Sequence, residues 1–458
     1  MHSILQEIEN SFEVETVKYK GIQVWPFLRM YISDKLKSNT DPVRFNVNIL
    51  NNFFRSVTFG FSNWFRQYDV IIFSSSDQRK LIHGKYTDKS ADEIAKYFGK
   101  SLIIELPVGN HHPGKQNASG FLVSKYFLYF LVFIYEKLFV NAGTIINEKI
   151  LSEIIEKIQI EFGYQNLIKR HYAQYKVMQL ILRFQKPKKA FVVCYYNNMG
   201  YIKALKDSGI EVVEIQHGVI NESHDAYNIS VKLDKNYFPD FLLTFGENEK
   251  LVFSGKNIFI KNENVIPVGH FYIDYLSKQN IKDEKLYRII GNFEKAIAVT
   301  SQNIEAESTL IEFLSSAALL NRNYLYIFIP RNFVGGKKHY EFPENIITIN
   351  WLNTYEIISH CHFHSTMFST CAIEAPSLGV QNILINLKNY AKLNYGRLLS
   401  DPLVTKFVET PLEYVEAIGH FEIQTKEKII QSNRGNILPE YSVNLKNCMV
   451  RLKASRKS

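Results

Sequence analysis

The sequence predicts an α/β fold of two doubly wound, Rossmann-like domains facing a central cleft. Three observations point there. Short aliphatic runs alternate with amphipathic stretches along the chain; the runs form two successive series that break near Val268-Gly269-His270; and 458 residues at 46% hydrophobic supply more than one core. Near-continuous apolar runs of this kind are what parallel strands covered by helices on both faces look like. No repeat and no low-complexity tract interrupts them.

Taken in order, the first series of strands is 69–73 (DVIIF), 101–106 (SLIIEL), 190–195 (AFVVCY), 211–215 (EVVEI), 241–245 (FLLTF) and 265–268 (VIPV). Helical patterns lie between them at 90–98 and 200–207, the latter stopping at Ser208-Gly209. The second series is 295–300 (KAIAVT), 324–329 (YLYIFI), 346–349 (IITI), 360–364 (HCHFH), 382–385 (NILI) and 406–409 (KFVE). A helix at 305–320 carries Leu310, Phe313, Leu314 and Ala317 at i, i+3, i+4 and i+7. The expected division is an N-terminal domain over 1–270 with a helical insertion near 115–180, a C-terminal domain over 271–435, and a last helix with a basic tail over 436–458. The stretch 277–280 (SKQN) reads as linker, and His111-His112 beside Pro113-Gly114 as a turn.

Composition narrows the setting. Lys+Arg 54 against Asp+Glu 45 gives a net charge of +9, which suits an anionic partner, and the apolar content excludes disorder, collagen and small disulfide scaffolds. Four cysteines without a CxxC fit a reducing cytoplasm, and the acidic, amphipathic start is not a signal peptide. The aromatic excess of 33 Phe and 27 Tyr has one local address, the apolar core of 121–140 (FLVSKYFLYFLVFIYEKLFV). Its uninterrupted core, 126–135, spans about 15 Å as a helix against the roughly 30 Å of a bilayer core. It therefore reads as a buried helix, with a surface helix dipping into lipid as the alternative.

Two clusters follow strand ends, where ligands bind in open α/β sheets. In 364–379 (HSTMFSTCAIEAPSLG), Ser365, Thr366, Ser369 and Thr370 surround the start of a short helix, and free N–H groups there suit a phosphate. Glu374, one turn on, suits both hydroxyls of a ribose, and the two features together describe a nucleotide. In 214–227 (EIQHGVINESHDAY), Gly218 permits a tight turn and His217 stands at the strand's carboxyl end, placed to deprotonate a hydroxyl. Ser75, after the strand 69–73, is placed to reach the same crevice, whereas Arg79 and Lys80 read equally well as a solvated face. The bland alternatives are an N-cap for Ser369 or Thr370 and a hydrogen-bonded turn for His217.

The first cluster, with 351–363 (WLNTYEIISHCHF) before it, resembles the donor segment of GT-B glycosyltransferases and of nonhydrolysing UDP-GlcNAc 2-epimerases. By that resemblance Ser365 to Thr370 contact the diphosphate, Glu374 holds the ribose, and Arg331 in FIPRN stands where relatives place a basic residue. The Gln-His-Gly turn resembles surface-polysaccharide glycosyltransferases of capsule and O-antigen synthesis, and more distantly the CDP-glycerol polymerases. This implies His217 as base and His224, Asp225 and Tyr227 on the acceptor side, with Ser75 a further acceptor-side candidate from its place after the strand 69–73. The segments 24–29 (VWPFLR) and 74–86 (SSSDQRKLIHGKY) share the second resemblance without a role that follows from it.

The implied activity is transfer of a sugar from a nucleotide-sugar to a glycan or lipid-linked glycan at the inner face of the cytoplasmic membrane, with no metal and no bound cofactor. The alternatives are a CDP-polyol phosphotransferase and a non-catalytic assembly subunit on the same fold. The trio His360, His362 and His364 lies on one expected strand face without a second ligand group, which argues against a metal site. No D-x-D, G-x-G-x-x-G or Walker A pattern occurs, and no basic stripe with interleaved aromatics supports nucleic-acid binding.

Overall fold

The computed structural model describes residues 4–37, 57–108, 116–140, 143–255, 257–279, 282–301, 304–331 and 341–454. The expected turn at His111-His112 lies outside them. The chain divides into two compact units, one of Met1–Thr244, Glu249–Ile266 and Leu445–Ser458, the other of Phe245–Asn248 and Pro267–Asn444.

The first unit begins with the helix Ile4–Ser11 and two short antiparallel strands, β1 (Lys18–Tyr19) and β2 (Ile22–Gln23), and continues through β3 (Val70–Ser75), the hairpin β4 (Arg79–Ile82) and β5 (Lys85–Asp88), β6 (Ser101–Leu106), β7 (Phe121–Ser124) and β8 (Ile145–Ile146). It then runs through β9 (Lys189–Val193), β10 (Glu211–Ile215), β11 (Phe241–Thr244) and β12 (Val265–Pro267). The main sheet has the order β12-β11-β10-β9-β3-β6-β7, and its central pairs are parallel. From β3 the chain winds outward through β6 and β7, then returns to β9 and winds the other way, so strand order reverses between β3 and β9. Helices Lys125–Phe139, Glu148–Ile158 and Tyr164–Phe184 fill the stretch before β9.

The second unit repeats the scheme with β13 (Lys295–Thr300), β14 (Tyr324–Ile329), β15 (Ile346–Thr348), β16 (Phe363–Ser365), β17 (Gln381–Ile385) and β18 (Thr405–Val408). Its sheet is parallel throughout in the order β15-β14-β13-β16-β17-β18, reversing between β13 and β16. Its four inner strands are almost wholly buried, which is why the sequence shows them as apolar runs rather than alternating ones.

Four local expectations change. The segment 121–140 opens as strand β7, not helix, because Phe121 to Ser124 complete the sheet edge beside β6; the helix starts at Lys125 with Ser124 as its cap. His360 ends the helix Thr354–His360 instead of lying on a strand, and its Nε2 accepts from the Asp283 amide. Arg79 is not a solvated face: its side chain is 1% exposed and pairs with Glu105 and with Asp92, locking the hairpin onto the sheet. Gly218 is not required by the turn, since its φ is not positive and a Cβ there would meet nothing within 4 Å. The turn is held instead by Gln216, whose amide donates to the Gly218 carbonyl and to Glu249, both at 2.9 Å.

The segment 24–29 has a structural role. Trp25 and Arg29 are buried in the helix Trp25–Lys37, and both donate to Glu9 Oε1, at 2.9 and 2.7 Å. The remaining guanidinium nitrogens reach the backbone carbonyls of Asp225, at 2.6 Å, and Asn228, at 3.1 Å. Arg29 thus ties the N-terminal helices to the loop after β10.

Candidate functional site

In the first unit a cavity of about 180 Å³ opens at the carboxyl ends of the strands flanking the β3/β9 reversal. A single water needs only about 10–15 Å³ of such space, so the cavity has room for a group well above the size of one water. Ser74, Ser75, Asp77 and Gln78 line it from the end of β3, Leu106 from β6, Val193, Cys194, Tyr196, Asn197 and Asn198 from the end of β9 and the turn after it, and His217 from the turn after β10. Lys125 closes it from the first turn of the helix Lys125–Phe139. The switch point of a doubly wound sheet is where the helix N-termini diverge and leave room for a ligand.

Of the described residues lining the cavity, His217 is the one histidine. Its Nε2 lies 3.3 Å from the Tyr196 hydroxyl, while Nδ1 is buried without a hydrogen-bond partner. Burial, reinforced by Lys89 and opposed by Asp77, lowers its pKa to about 4, so the ring is neutral at physiological pH. An orphaned polar atom on a cavity wall is the kind of position a ligand hydrogen bond completes. Beneath it, Glu214 is buried and accepts from the Tyr195 amide at 3.0 Å and the Tyr227 hydroxyl at 2.8 Å; burial raises its pKa to about 8.

The other expected acceptor-side residues are distributed differently. Ser75 lines the cavity and donates to Asp77. Tyr227 does not line it: the residue is 1% exposed and its hydroxyl is engaged by Glu214. Asp225 is likewise buried, accepting from Ser33 at 2.5 Å. His224 is partly exposed and packs its ring 4.9 Å from that of Tyr227. Reading single positions missed Lys125, Tyr196, Asn197 and Asn198. The last three directly follow the strand at 190–195 and were open to the strand-end rule. Lys125 was hidden as a flank of an apolar run.

In the second unit the 364–379 segment occupies the β13/β16 reversal. His364 crosslinks three strands: its Nδ1 is 2.8 Å from Asn382 Oδ1 and its Nε2 is 3.0 Å from Thr300 Oγ1. Because Asn382 Oδ1 only accepts, Nδ1 carries the proton and Nε2 accepts. Burial lowers this pKa to about 4. Ser365 and Thr366 are fully buried and their hydroxyls are engaged internally, Ser365 accepting from Tyr414 at 2.7 Å and Thr366 donating to the Thr300 carbonyl at 3.0 Å. Side-chain contact with a diphosphate is therefore not available to these two. Ser369 and Thr370 are partly exposed at the head of the four-residue helix Cys371–Glu374.

Glu374 is 2% exposed; its Oε1 accepts from Tyr355 at 3.0 Å and lies 3.6 Å from His270 Nε2. His270 Nδ1 accepts from the Ile273 amide at 3.2 Å, so its proton sits on Nε2 and points the ring at Glu374. After this helix the chain turns at Gly379, where φ is +79° and a Cβ would come within 2.6 Å of Lys426 Cγ, so only glycine fits. Arg331 is exposed just beyond β14. Among the described residues no group of three or more His, Cys, Asp or Glu is arranged to hold a metal ion. None of the described helices is long and apolar enough to cross a membrane.

No protein-family model matches the chain, and no curated protein matches it. Solved structures do. The glycotransferase of kitacinnamycin is 9% identical, with a TM-score of 0.52, over 85% of this chain and 99% of that one. CalG4, the calicheamicin glycosyltransferase, is 12% identical with a TM-score of 0.51, over 86% and 100%. The UDP-GlcNAc 2-epimerase from Neisseria meningitidis bound to UDP-GlcNAc aligns at 12% identity and a TM-score of 0.49, over 85% and 100%. With the two parallel sheets and their matching reversals, the first two likenesses establish the fold as GT-B.

Proposed function

We propose that the chain is a GT-B glycosyltransferase that moves a sugar from a nucleotide-sugar to a surface-polysaccharide or lipid-linked glycan acceptor. The observation that carries this reading is His217: a neutral imidazole with one nitrogen held near Tyr196 and the other unpartnered, on the wall of a cavity at the strand-order reversal. The acceptor hydroxyl gives its proton to His217 as its oxygen forms a bond to the anomeric carbon. The bond from that carbon to the nucleoside diphosphate breaks, and the leaving group takes the electron pair, so the anomeric configuration inverts. The second unit binds the nucleotide. Glu374, held by Tyr355 and His270, accepts from the ribose, while Ser369, Thr370 and Arg331 meet the diphosphate. No step uses a metal.

A thermal-shift panel of UDP-, GDP-, dTDP-, CMP- and CDP-linked donors tests the reading. One or more nucleotide-sugars should stabilise the protein, Glu374→Ala should weaken that ligand at least tenfold, and transfer should survive EDTA. Stabilisation only by CDP-glycerol or CDP-ribitol would replace the reading with polyol-phosphate transfer, and silence across the panel would favour a non-catalytic subunit.

The setting proposed is the cytoplasm, with peripheral contact at the inner face of the membrane. Phe130, Phe133, Leu138 and Phe139 are 40%, 56%, 67% and 62% exposed on the helix Lys125–Phe139, with Lys137 among them. Apolar side chains beside a cation suit an anionic lipid surface. Phe133→Ser with Phe139→Ser should lower co-sedimentation with phosphatidylglycerol-containing vesicles at least fivefold; equal sedimentation would remove this contact.

A further inference from the structure

Lys125 is 3% exposed, yet its ammonium has no carboxylate within ion-pair distance among the described residues. Its partners are the Asn198 side-chain oxygen at 2.7 Å and the ring faces of Tyr129 and Tyr201 at 5.5 and 5.8 Å. Buried lysines are rare and are ordinarily paired. Nearby Cys194 is no counterion, since burial raises its thiol to about 12 and keeps it uncharged. Asp77, on the same cavity, is exposed and accepts from the Ser75 hydroxyl instead.

The location compounds the electrostatic cost. Lys125 opens a 15-residue helix, where the backbone dipole already favours negative charge. Asn198, which holds the ammonium, is itself the N-cap of the helix Met199–Asp207. Two helix N-termini and a buried cation therefore converge on one open cavity, and burial lowers the lysine only to about 8, still above pH 7, so it keeps most of its charge there. A buried ammonium with no carboxylate partner of its own, on the wall of a cavity, suits a negative group.

We propose that the cavity's Lys125 corner is an oxyanion subsite and that the glycan acceptor carries a carboxylate or phosphate group seated there. This rests on the acceptor role assigned to the first unit and specifies it: the glycan is acidic, and Lys125 anchors its charge while His217 meets the reacting hydroxyl.

Calorimetric titration of the full chain with inorganic phosphate and, separately, with glucuronate tests the subsite and tells the two sources apart. Saturable binding of at least one is expected, weakened at least tenfold in Lys125→Gln. Binding of neither, or equal binding by the variant, would overturn the proposal. If Lys125→Gln does not fold, the wild-type protein still decides: acetylation of Lys125 by acetic anhydride, followed by mass spectrometry, should slow at least fivefold with the bound anion and not with glucose. Unchanged labelling would overturn the subsite. Anion binding together with silence across the nucleotide-sugar panel would sink the transferase reading while leaving the subsite standing; donor binding without anion binding would do the reverse.

Discussion

His217→Ala is expected to lower kcat for sugar transfer by about 10²–10⁴-fold, the range over which a positioned general base acts, with donor affinity unchanged. The pH profile adds a second signature. A base must be unprotonated to act, and burial lowers this histidine to about 4, so activity should stay flat down to about pH 5 and fall only as pH drops toward 4. An ordinary imidazole with a pKa near 6.5 would already have lost about tenfold at pH 5.5. Turnover that survives the alanine substitution, or an acid limb centred near 6.5, would show that His217 is not the base.

Arg29→Ala should produce the largest loss of stability, about 3–5 kcal/mol, because it removes one partner of a buried ion pair and strands the other. Glu9 would keep only its hydrogen bond from Trp25, and the carbonyls of Asp225 and Asn228 would lose their buried donor. Removing both charges together, as Glu9→Met with Arg29→Leu, should recover part of the loss, since no charge is then left buried alone. Urea unfolding followed through the first unit's transition measures both. A loss of under about 1 kcal/mol in the single variant would mean that the pair contributes little.

Most strands of the two main sheets were legible because parallel strands packed inside a sheet force the sequence into solid aliphatic runs; the short antiparallel strands β1, β2, β4, β5 and β8 carry no such run. The runs at 211–215, 295–300 and 324–329 match β10, β13 and β14 to the residue. His217 was legible too, as a histidine directly after such a run. Other residues failed for reasons that single positions do not carry. Tyr227 and Asp225 follow His217 closely enough to suggest one site, but the loop turns both inward, to Glu214 and Ser33. Ser365 and Thr366 look like phosphate ligands in a hydroxyl-rich loop, yet they lie at the point where β16 meets β13, and their hydroxyls are taken up by Tyr414 of the helix Pro411–His420 and by the Thr300 carbonyl at the end of β13. Arg79 has the look of a surface residue until Glu105 and Asp92, both distant in the chain, are brought beside it.

By itself, then, the sequence determined the class of fold, the order of its two strand series and the chemical type of its strand-end residues, since these depend on periodicity and composition along a local stretch. Only the tertiary structure decided which polar groups remain open to a ligand. That property depends on partners contributed from far along the chain: Tyr196 and Asn198 beside His217 and Lys125, and Tyr355 and His270 around Glu374. A buried polar group must be satisfied by something, and whether that is the protein or a ligand is settled by packing, not by residue type.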